Sequence, residues 1–242
     1  MNQLGLIGKN IAYSFSKKFF AEKFKNEEIN NFVYDSFDIP EIENIEEIFA
    51  LPNLVGLNVT IPYKEKVIPY LDELSIEAKE IGAVNTIKII NNKKIGFNTD
   101  CYGFEKSLLP LLKPIHTKAL ILGTGGASKA IVYVLKKLNI DYTIVSRNKT
   151  DKNLTYQEIS ASVIDSHKIL INCTPLGTFP NIEDKPPIPY SFLTKDHLAY
   201  DLIYNPEKTS FLLAAEKNGA TIKNGLEMLQ LQAKKAWEIW NE

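Results

Sequence analysis

The feature that most constrains this chain is a glycine-rich turn, Gly123-Thr-Gly-Gly-Ala-Ser128, set between the apolar run Ala119-Leu-Ile-Leu122 and a stretch where Ala127, Ala130, Ile131, Val134, Leu135 and Leu138 recur at helical spacing. A short, continuous apolar run suits a strand buried on both faces, and the helical period that follows gives one apolar face to pack on it. The turn therefore opens a helix whose unpaired N–H groups and positive dipole end can receive a pyrophosphate. Gly123, Gly125, Gly126 and Ala127 become the candidate phosphate-contacting residues. Because Ser128 occupies the last position of the glycine pattern, the turn alone also suits a methyltransferase that binds adenosylmethionine.

Arg147 bears on that choice. It is the one arginine in a chain whose 28 basic residues are otherwise all lysine. It lies just past the apolar run Tyr142-Thr-Ile-Val145, about 20 residues beyond the turn, where a dinucleotide-binding unit places the residue that reads the ribose. An acidic residue there holds two ribose hydroxyls, whereas a planar guanidinium suits a 2′-phosphate. The expected cofactor is NADP, with Ser146, Asn148 and Lys149 able to add contacts to the phosphate. Further strands are expected at Ile169-Leu-Ile-Asn172 and Leu198-Ala-Tyr-Asp-Leu202, and ligands bind at the carboxyl ends of such strands. Thr174 and Tyr204 follow those two runs directly.

The fold class implied is α/β, with two α/β domains flanking a cleft, the second a Rossmann-like dinucleotide-binding domain. The first hundred residues repeat the alternation, with strand candidates at Leu4–Gly8, Phe32–Tyr34, Val55–Thr60 and Ile95–Asn98 and helical candidates near 16–25, 41–50 and 62–80. They are too many for an appendage. The expected division is a substrate-binding and catalytic domain at 1–102 and an NADP-binding domain at 103–219, with the C-terminal helix in 220–242 packing back on the first domain.

Polar groups cluster at strand ends in the first half, in Ser14-Phe-Ser16, Asn58-Val-Thr-Ile-Pro-Tyr-Lys64, Asn85-Thr86 and Asn98-Thr-Asp100. Their chemistry is mostly hydroxyl and amide, which both donate and accept, so they suit a substrate with several hydroxyls. With no arginine in this half, a substrate carboxylate would be met by Ser14 and Ser16 or by a lysine, although Ser14 is equally placed to cap a helix. Pro62 is expected to start a helix with Lys64 in its first turn, where the dipole lowers an ammonium pKa. Asp100 across the cleft would oppose that shift, and such a pair can pass a proton to or from an alcohol oxygen. His116, His167 and His197 precede strands rather than follow them and are expected to be surface residues. Cys101 and Cys173 follow no metal spacing and are expected to be small packing residues.

With 28 basic and 29 acidic residues and no basic tail, the chain offers little footprint for nucleic acid or anionic lipid. The N-terminal apolar run is too short for a signal peptide, and nowhere do about 18 apolar residues follow one another. The expectation is a cytoplasmic protein with small-molecule partners, no nucleic acid, no membrane and no metal, acting as a monomer or homodimer.

Eight segments together resemble the shikimate dehydrogenase family in order and spacing: Ser14–Ser16, Asn58–Lys64, Gly82-Ala-Val-Asn-Thr86, Asn98–Asp100, Gly123–Ser128, Asn172-Cys-Thr-Pro-Leu-Gly177, Asp201-Leu-Ile-Tyr-Asn-Pro206 and Gly225-Leu-Glu-Met-Leu-Gln-Leu-Gln232. The resemblance runs nearly end to end. It implies reversible reduction of 3-dehydroshikimate to shikimate with NADPH, on the route to chorismate and the aromatic amino acids. It makes Lys64 and Asp100 the catalytic pair and sets Ser14, Ser16, Thr60, Asn85, Tyr204 and Gln232 around the substrate. Gly225 and Met228 would border the nicotinamide, and the C-terminal helix would return to the first domain. Tyr13 stands where the family usually has histidine, Lys17 where it has proline, and Ser146-Arg147-Asn148 where Asn-Arg-Thr is common. The alternatives are a broader quinate/shikimate dehydrogenase and a non-catalytic NADP-binding regulator on the same scaffold.

Overall fold

The computed structural model describes residues 1–11 and 14–242; Tyr13, with its departure from the family pattern, lies outside the described residues. The chain divides into two units, one of Met1–Thr99 with Gln232–Glu242 and one of Asp100–Leu231.

In the first unit the elements run β1 (Asn2–Gly8), α1 (Phe15–Asn26), β2 (Phe32–Asp38), α2 (Ile45–Phe49), β3 (Leu54–Val59), β4 (Glu73–Leu74), α3 (Ile76–Ile81), β5 (Thr86–Ile90) and β6 (Lys93–Phe97). They build one sheet in the order β2-β1-β3-β5-β6-β4. β1 pairs parallel with β2 and β3, whereas β5 runs antiparallel to both β3 and β6. β1 alternates as a strand buried on two faces must: Leu4 and Leu6 join the core formed with Phe20, Tyr34 and Trp240, while Ile7 joins the core with Leu57, Tyr63 and Ile87. The hairpin β5–β6 turns on Asn91 and Asn92, both left-handed at φ 51° and 60°, which is the backbone a two-residue hairpin needs and asparagine tolerates.

Two expectations for this unit need correction. Residues 62–80 form no single helix: after consecutive turns and a 3₁₀ turn at Ile68–Tyr70 comes β4, and only Ile76–Ile81 is α-helical. The reason is local. Tyr63 is buried with its hydroxyl donating to the Ile39 carbonyl, the Lys64 carbonyl accepts from Val84 N–H at 2.7 Å rather than from residue 68, and Pro69 brings no N–H. The strand β5, which overlaps Asn85-Thr86, carries no turn glycine and was not expected as a strand.

The second unit contains α4 (Asp100–Leu108), β7 (Lys118–Leu122), α5 (Gly126–Lys137), β8 (Asp141–Val145), β9 (Asn153–Leu154), α6 (Ala161–Ser166), β10 (Ile169–Asn172), β11 (Leu198–Asp201), α7 (Ser210–Lys217), β12 (Thr221–Lys223) and the start of α8 (Leu226–Asn241). All its strand pairs are parallel, in the order β12-β11-β10-β7-β8-β9. That is the order of a dinucleotide-binding sheet, with its reversal point between β7 and β10, and a crevice at the carboxyl ends of those strands is where such sheets take ligands. Residues 220–242 are divided: β12 pairs with β11 in this sheet, while Gln232–Glu242 group with the first unit.

Candidate functional site

In the first unit the polar residues singled out in the sequence gather at one end of the sheet, where β3 ends, β5 begins and β6 ends. Asn58 is buried on β3, takes a hydrogen bond from the Tyr34 hydroxyl at 2.8 Å and donates to Thr86 Oγ1 at 3.2 Å. Asn85 donates to Thr99 Oγ1 at 3.0 Å and to Gln232 Oε1 at 3.4 Å, and its Oδ1 accepts from Thr99 N–H at 2.7 Å. Gln232 is thus held beside Asn85 and Thr99 by α8, 147 residues away in the chain. Asn98 donates to the Ala83 carbonyl, and Thr60, half-buried after β3, donates its N–H to the Ile7 carbonyl. Lys64 is half-buried, and its backbone is tied to the same Ala83–Asn85 segment through Val84.

Ser14 does cap α1, its hydroxyl accepting from Ser16 N–H at 3.2 Å. Ser16 is buried and shares a side-chain hydrogen bond with Tyr34, whose phenol burial pushes well above its ordinary range while that bond opposes the shift. The expectation that Lys64 sits in a helix's first turn is not met, and the helix-dipole argument goes with it. Neutral amides and hydroxyls dominate the cluster, so it can bind a polyhydroxylated ring by exchanging donors and acceptors, without charge.

In the second unit the glycine turn joins β7 to α5. Gly123 has φ 105°, a conformation that penalises any side chain, and a Cβ there would lie 3.0 Å from Thr174 Cγ2. Gly125 precedes the first residue of α5, Gly126, and a Cβ on either would meet nothing within 4 Å. Together with Ala127 they leave open space over a helix N-terminus, the arrangement a pyrophosphate requires. Ser128 is buried with its hydroxyl donating to the Gly125 carbonyl, so the residue that weakened the sequence pattern serves to brace the turn.

Arg147 is exposed just past β8, followed by Asn148, whose N–H donates to the half-buried Ser146 hydroxyl at 3.4 Å. Lys149 is engaged by Glu158 at 2.6 Å, a carboxylate that this lysine and Thr155 hold down at about 2, well below its usual range. Thr174 follows β10 with both N–H and hydroxyl donating to Asn172 Oδ1. Tyr204 is half-buried after β11, and burial raises its phenol pKa; Gly225 and Met228, at the start of α8, are buried. Asp100 is buried at the first position of α4.

Sequence reasoning passed over two residues at this site. Asn172 and Asp201 are fully buried strand ends, and burial pushes the Asp201 carboxyl up to about 6, against hydrogen bonds from Thr209, Ile203 N–H and Asn172. The available signal was a lone carboxylate closing an apolar run, a cost that needs compensating partners. The three histidines also need correction, because His116, His167 and His197 are buried, not on the surface. Their ring nitrogens reach the carbonyls of Asp196, Val163 and Ile164 respectively, tying the loops at the amino ends of the strands. A depression of about 530 Å³ lined by Lys118, Lys136 and Asp141–Thr143 lies at that amino end too, away from the glycine turn. Cys101 is buried, as expected, and Cys173 is partly so. Among the described residues no helix is long and apolar enough to cross a membrane, and no His, Cys, Asp or Glu cluster suited to a metal ion occurs.

A family model described as the shikimate dehydrogenase substrate binding domain matches residues 6–87. The chain is 39% identical to the shikimate dehydrogenase (NADP(+)) of Clostridium botulinum (strain Hall), over 99% of this chain and 96% of that protein. The solved shikimate 5-dehydrogenase of Thermus thermophilus, in complex with NADP(H) and shikimate, superposes with a TM-score of 0.87 at 28% identity, covering 99% of this chain and 93% of that one. A 5-ketofructose reductase of Gluconobacter shares the fold at a TM-score of 0.84 and 29% identity, covering 99% and 92%. A likeness that spans both units at 39% identity goes beyond a shared scaffold, and the chain belongs to the shikimate dehydrogenase family.

Proposed function

We propose that this protein is an NADP-dependent shikimate dehydrogenase that interconverts 3-dehydroshikimate and shikimate in chorismate and aromatic amino acid biosynthesis. The observation that carries this reading is the near-full-length likeness to a shikimate dehydrogenase (NADP(+)). Within it, the cofactor lies over the α5 N-terminus against Gly123, Gly125, Gly126 and Ala127, with its 2′-phosphate met by Arg147 and Ser146. Thr174, Gly225 and Met228 border its nicotinamide end. NADP, when bound, supplies the hydride acceptor or donor.

The substrate occupies the neutral cluster of the first unit, with Ser14, Ser16, Thr60, Asn85, Tyr204 and Gln232 holding its carboxylate and hydroxyls. In the oxidative direction Lys64, coupled to Asp100, takes the proton of the reacting hydroxyl, and in the reductive direction returns it. This reading assigns substrate binding to a domain at 1–102, joined by the C-terminal helix, and NADP binding to a domain at 103–219. It also sets the protein in the cytoplasm, a reducing compartment in keeping with a chain whose two cysteines, Cys101 and Cys173, give no disulfide framework, as a monomer or homodimer.

The test is direct. Purified protein with shikimate and NADP should raise absorbance at the reduced-cofactor wavelength, and Lys64→Ala should lower kcat by roughly 10²–10⁴ with substrate binding changed much less. Binding of NADPH without turnover would favour the non-catalytic regulator, and an unchanged kcat would remove Lys64 from the mechanism. Because a pocket of hydroxyls and amides discriminates weakly against one additional hydroxyl, quinate belongs in the same assay, with shikimate expected to give the higher kcat/KM.

A further inference from the structure

A buried hydrogen-bonded cluster lies behind the two loops that follow β10 and β11. At its centre is Asp201, with no exposed surface, last in β11 and in register with Asn172, last in β10. Asp201 Oδ1 accepts from Asn172 Nδ2 at 3.1 Å and from Ile203 N–H at 3.0 Å, and Oδ2 accepts from Thr209 Oγ1 at 2.6 Å. All three partners are donors, and an ionised carboxylate only accepts, so the match leaves one arrangement.

Each partner passes that arrangement on. With its Nδ2 drawn to Asp201, Asn172 must turn its Oδ1 to Thr174, where it takes both the N–H at 3.0 Å and the hydroxyl at 2.7 Å. Thr174 then stands against the glycine turn, close enough that a Cβ on Gly123 would crowd its methyl group. Along the other arm the Ile203 carbonyl accepts from Gly225 N–H at 3.0 Å, and Gly225 packs so closely on Leu202 that a Cβ would lie 2.1 Å from its carbonyl oxygen. Thr209 anchors the carboxylate from behind. It caps α7, and a Cβ on Gly177, which closes the loop after β10, would lie 3.5 Å from the Thr209 Cβ.

We infer that Asp201 is a positioning residue for the cofactor, setting Thr174 against the glycine turn through Asn172 and setting Gly225 through Ile203. This rests on the reading that Thr174 and Gly225 face NADP. A carboxylate suits the task because charge-assisted hydrogen bonds are short and directional, and because its partners, if abandoned, become buried unpaired donors.

The test separates positioning from bulk stability. Asp201→Ala should raise the NADPH dissociation constant about tenfold or more, while KM for shikimate and kcat at saturating cofactor stay within about threefold. Asp201→Asn should restore NADPH affinity to within about threefold of wild type, since the amide oxygen still serves Asn172 and Ile203 and the amide nitrogen can donate to the Thr209 hydroxyl. Should Asp201→Ala fail to fold, Thr209→Val removes one anchoring donor and should weaken NADPH binding severalfold. Unchanged NADPH affinity in the folded variant, or equal losses in kcat and in both KM values with no rescue by Asp201→Asn, would overturn the inference alone. A wild-type protein that does not bind NADPH would instead overturn the cofactor reading, and this inference with it.

Discussion

In the proposed reading, cofactor choice rests on one residue, Arg147. It is exposed at the carboxyl end of β8, one strand from the glycine turn, while the neighbouring Lys149 is committed to Glu158. Its charge is felt nearby, where it opposes the rise that burial imposes on the Tyr156 phenol. A guanidinium meets a phosphate with two parallel donors, which a lysine cannot reproduce. Arg147→Ala should therefore raise KM for NADPH about tenfold or more, the loss expected for a charge-assisted hydrogen bond, and leave KM for NADH nearly as it was. Equal changes with the two cofactors in steady-state assays would mean that Arg147 touches no phosphate.

At the scale of elements the informative one is α8. Its last turns pack on the first unit's sheet: Ala233, Ala236 and Trp240 join the core with Phe20 and Tyr34, and the Trp240 indole N–H donates to the Ile87 carbonyl at 2.9 Å. The indole fits because β3 offers a glycine at that point. A Cβ on Gly56 would lie 2.2 Å from Trp240 Nε1, a distance no packing adjustment of a rigid ring absorbs without moving the helix end. Gly56→Ala should cost about 1–3 kcal/mol, lowering Tm by about 2–4 °C for each of them in a chain of this size. Since the same helix carries Gln232 to Asn85 and Thr99, the variant should also raise KM for shikimate. A thermal scan indistinguishable from wild type would show that α8 docks by other contacts.

For the molecule as a whole, buried titratable groups set the response to acid. Burial holds the imidazoles of His116 and His167 below their ordinary 6.5, partly opposed by hydrogen bonds to the Asp196 and Val163 carbonyls. The unfolded chain therefore binds protons that the folded one refuses as pH falls below about 6.5, and stability is lost across that window until the lowered folded values are passed. Each group contributes a slope of at most about 1.4 kcal/mol per pH unit. Asp201 acts with the opposite sign, because its folded value of about 6 lies above the usual 3.8 and the folded state takes up that proton first as the pH drops. Urea unfolding between pH 7.5 and 5.5 should show a falling midpoint, and replacing both histidines by glutamine should flatten it. A midpoint independent of pH over this range would contradict the account.

Much of this was legible before any coordinates. The glycine turn, the 3.6 period of α5, the alternation of the second unit and the place of Arg147 are local properties, and local sequence specifies period, turn chemistry and the end of a strand without reference to distant partners. What the sequence left open depended on distant partners. The 62–80 stretch has helical spacing, yet Tyr63 and the Lys64 carbonyl find buried partners in Ile39 and Val84 that outweigh a helix. The histidines look like surface residues because only the packed loops supply the carbonyls that make their burial tolerable. The arrangement of Gln232 with Asn85, and the linkage of Asp201 to Thr174 and Gly225, arise only when strands far apart in the chain are brought into register. Sequence by itself determined the kind of units and the chemistry each can offer, because those reside in neighbouring residues. Only tertiary structure decided which polar groups share one buried network, because hydrogen bonds inside a core are settled by whichever partners the whole chain brings within reach.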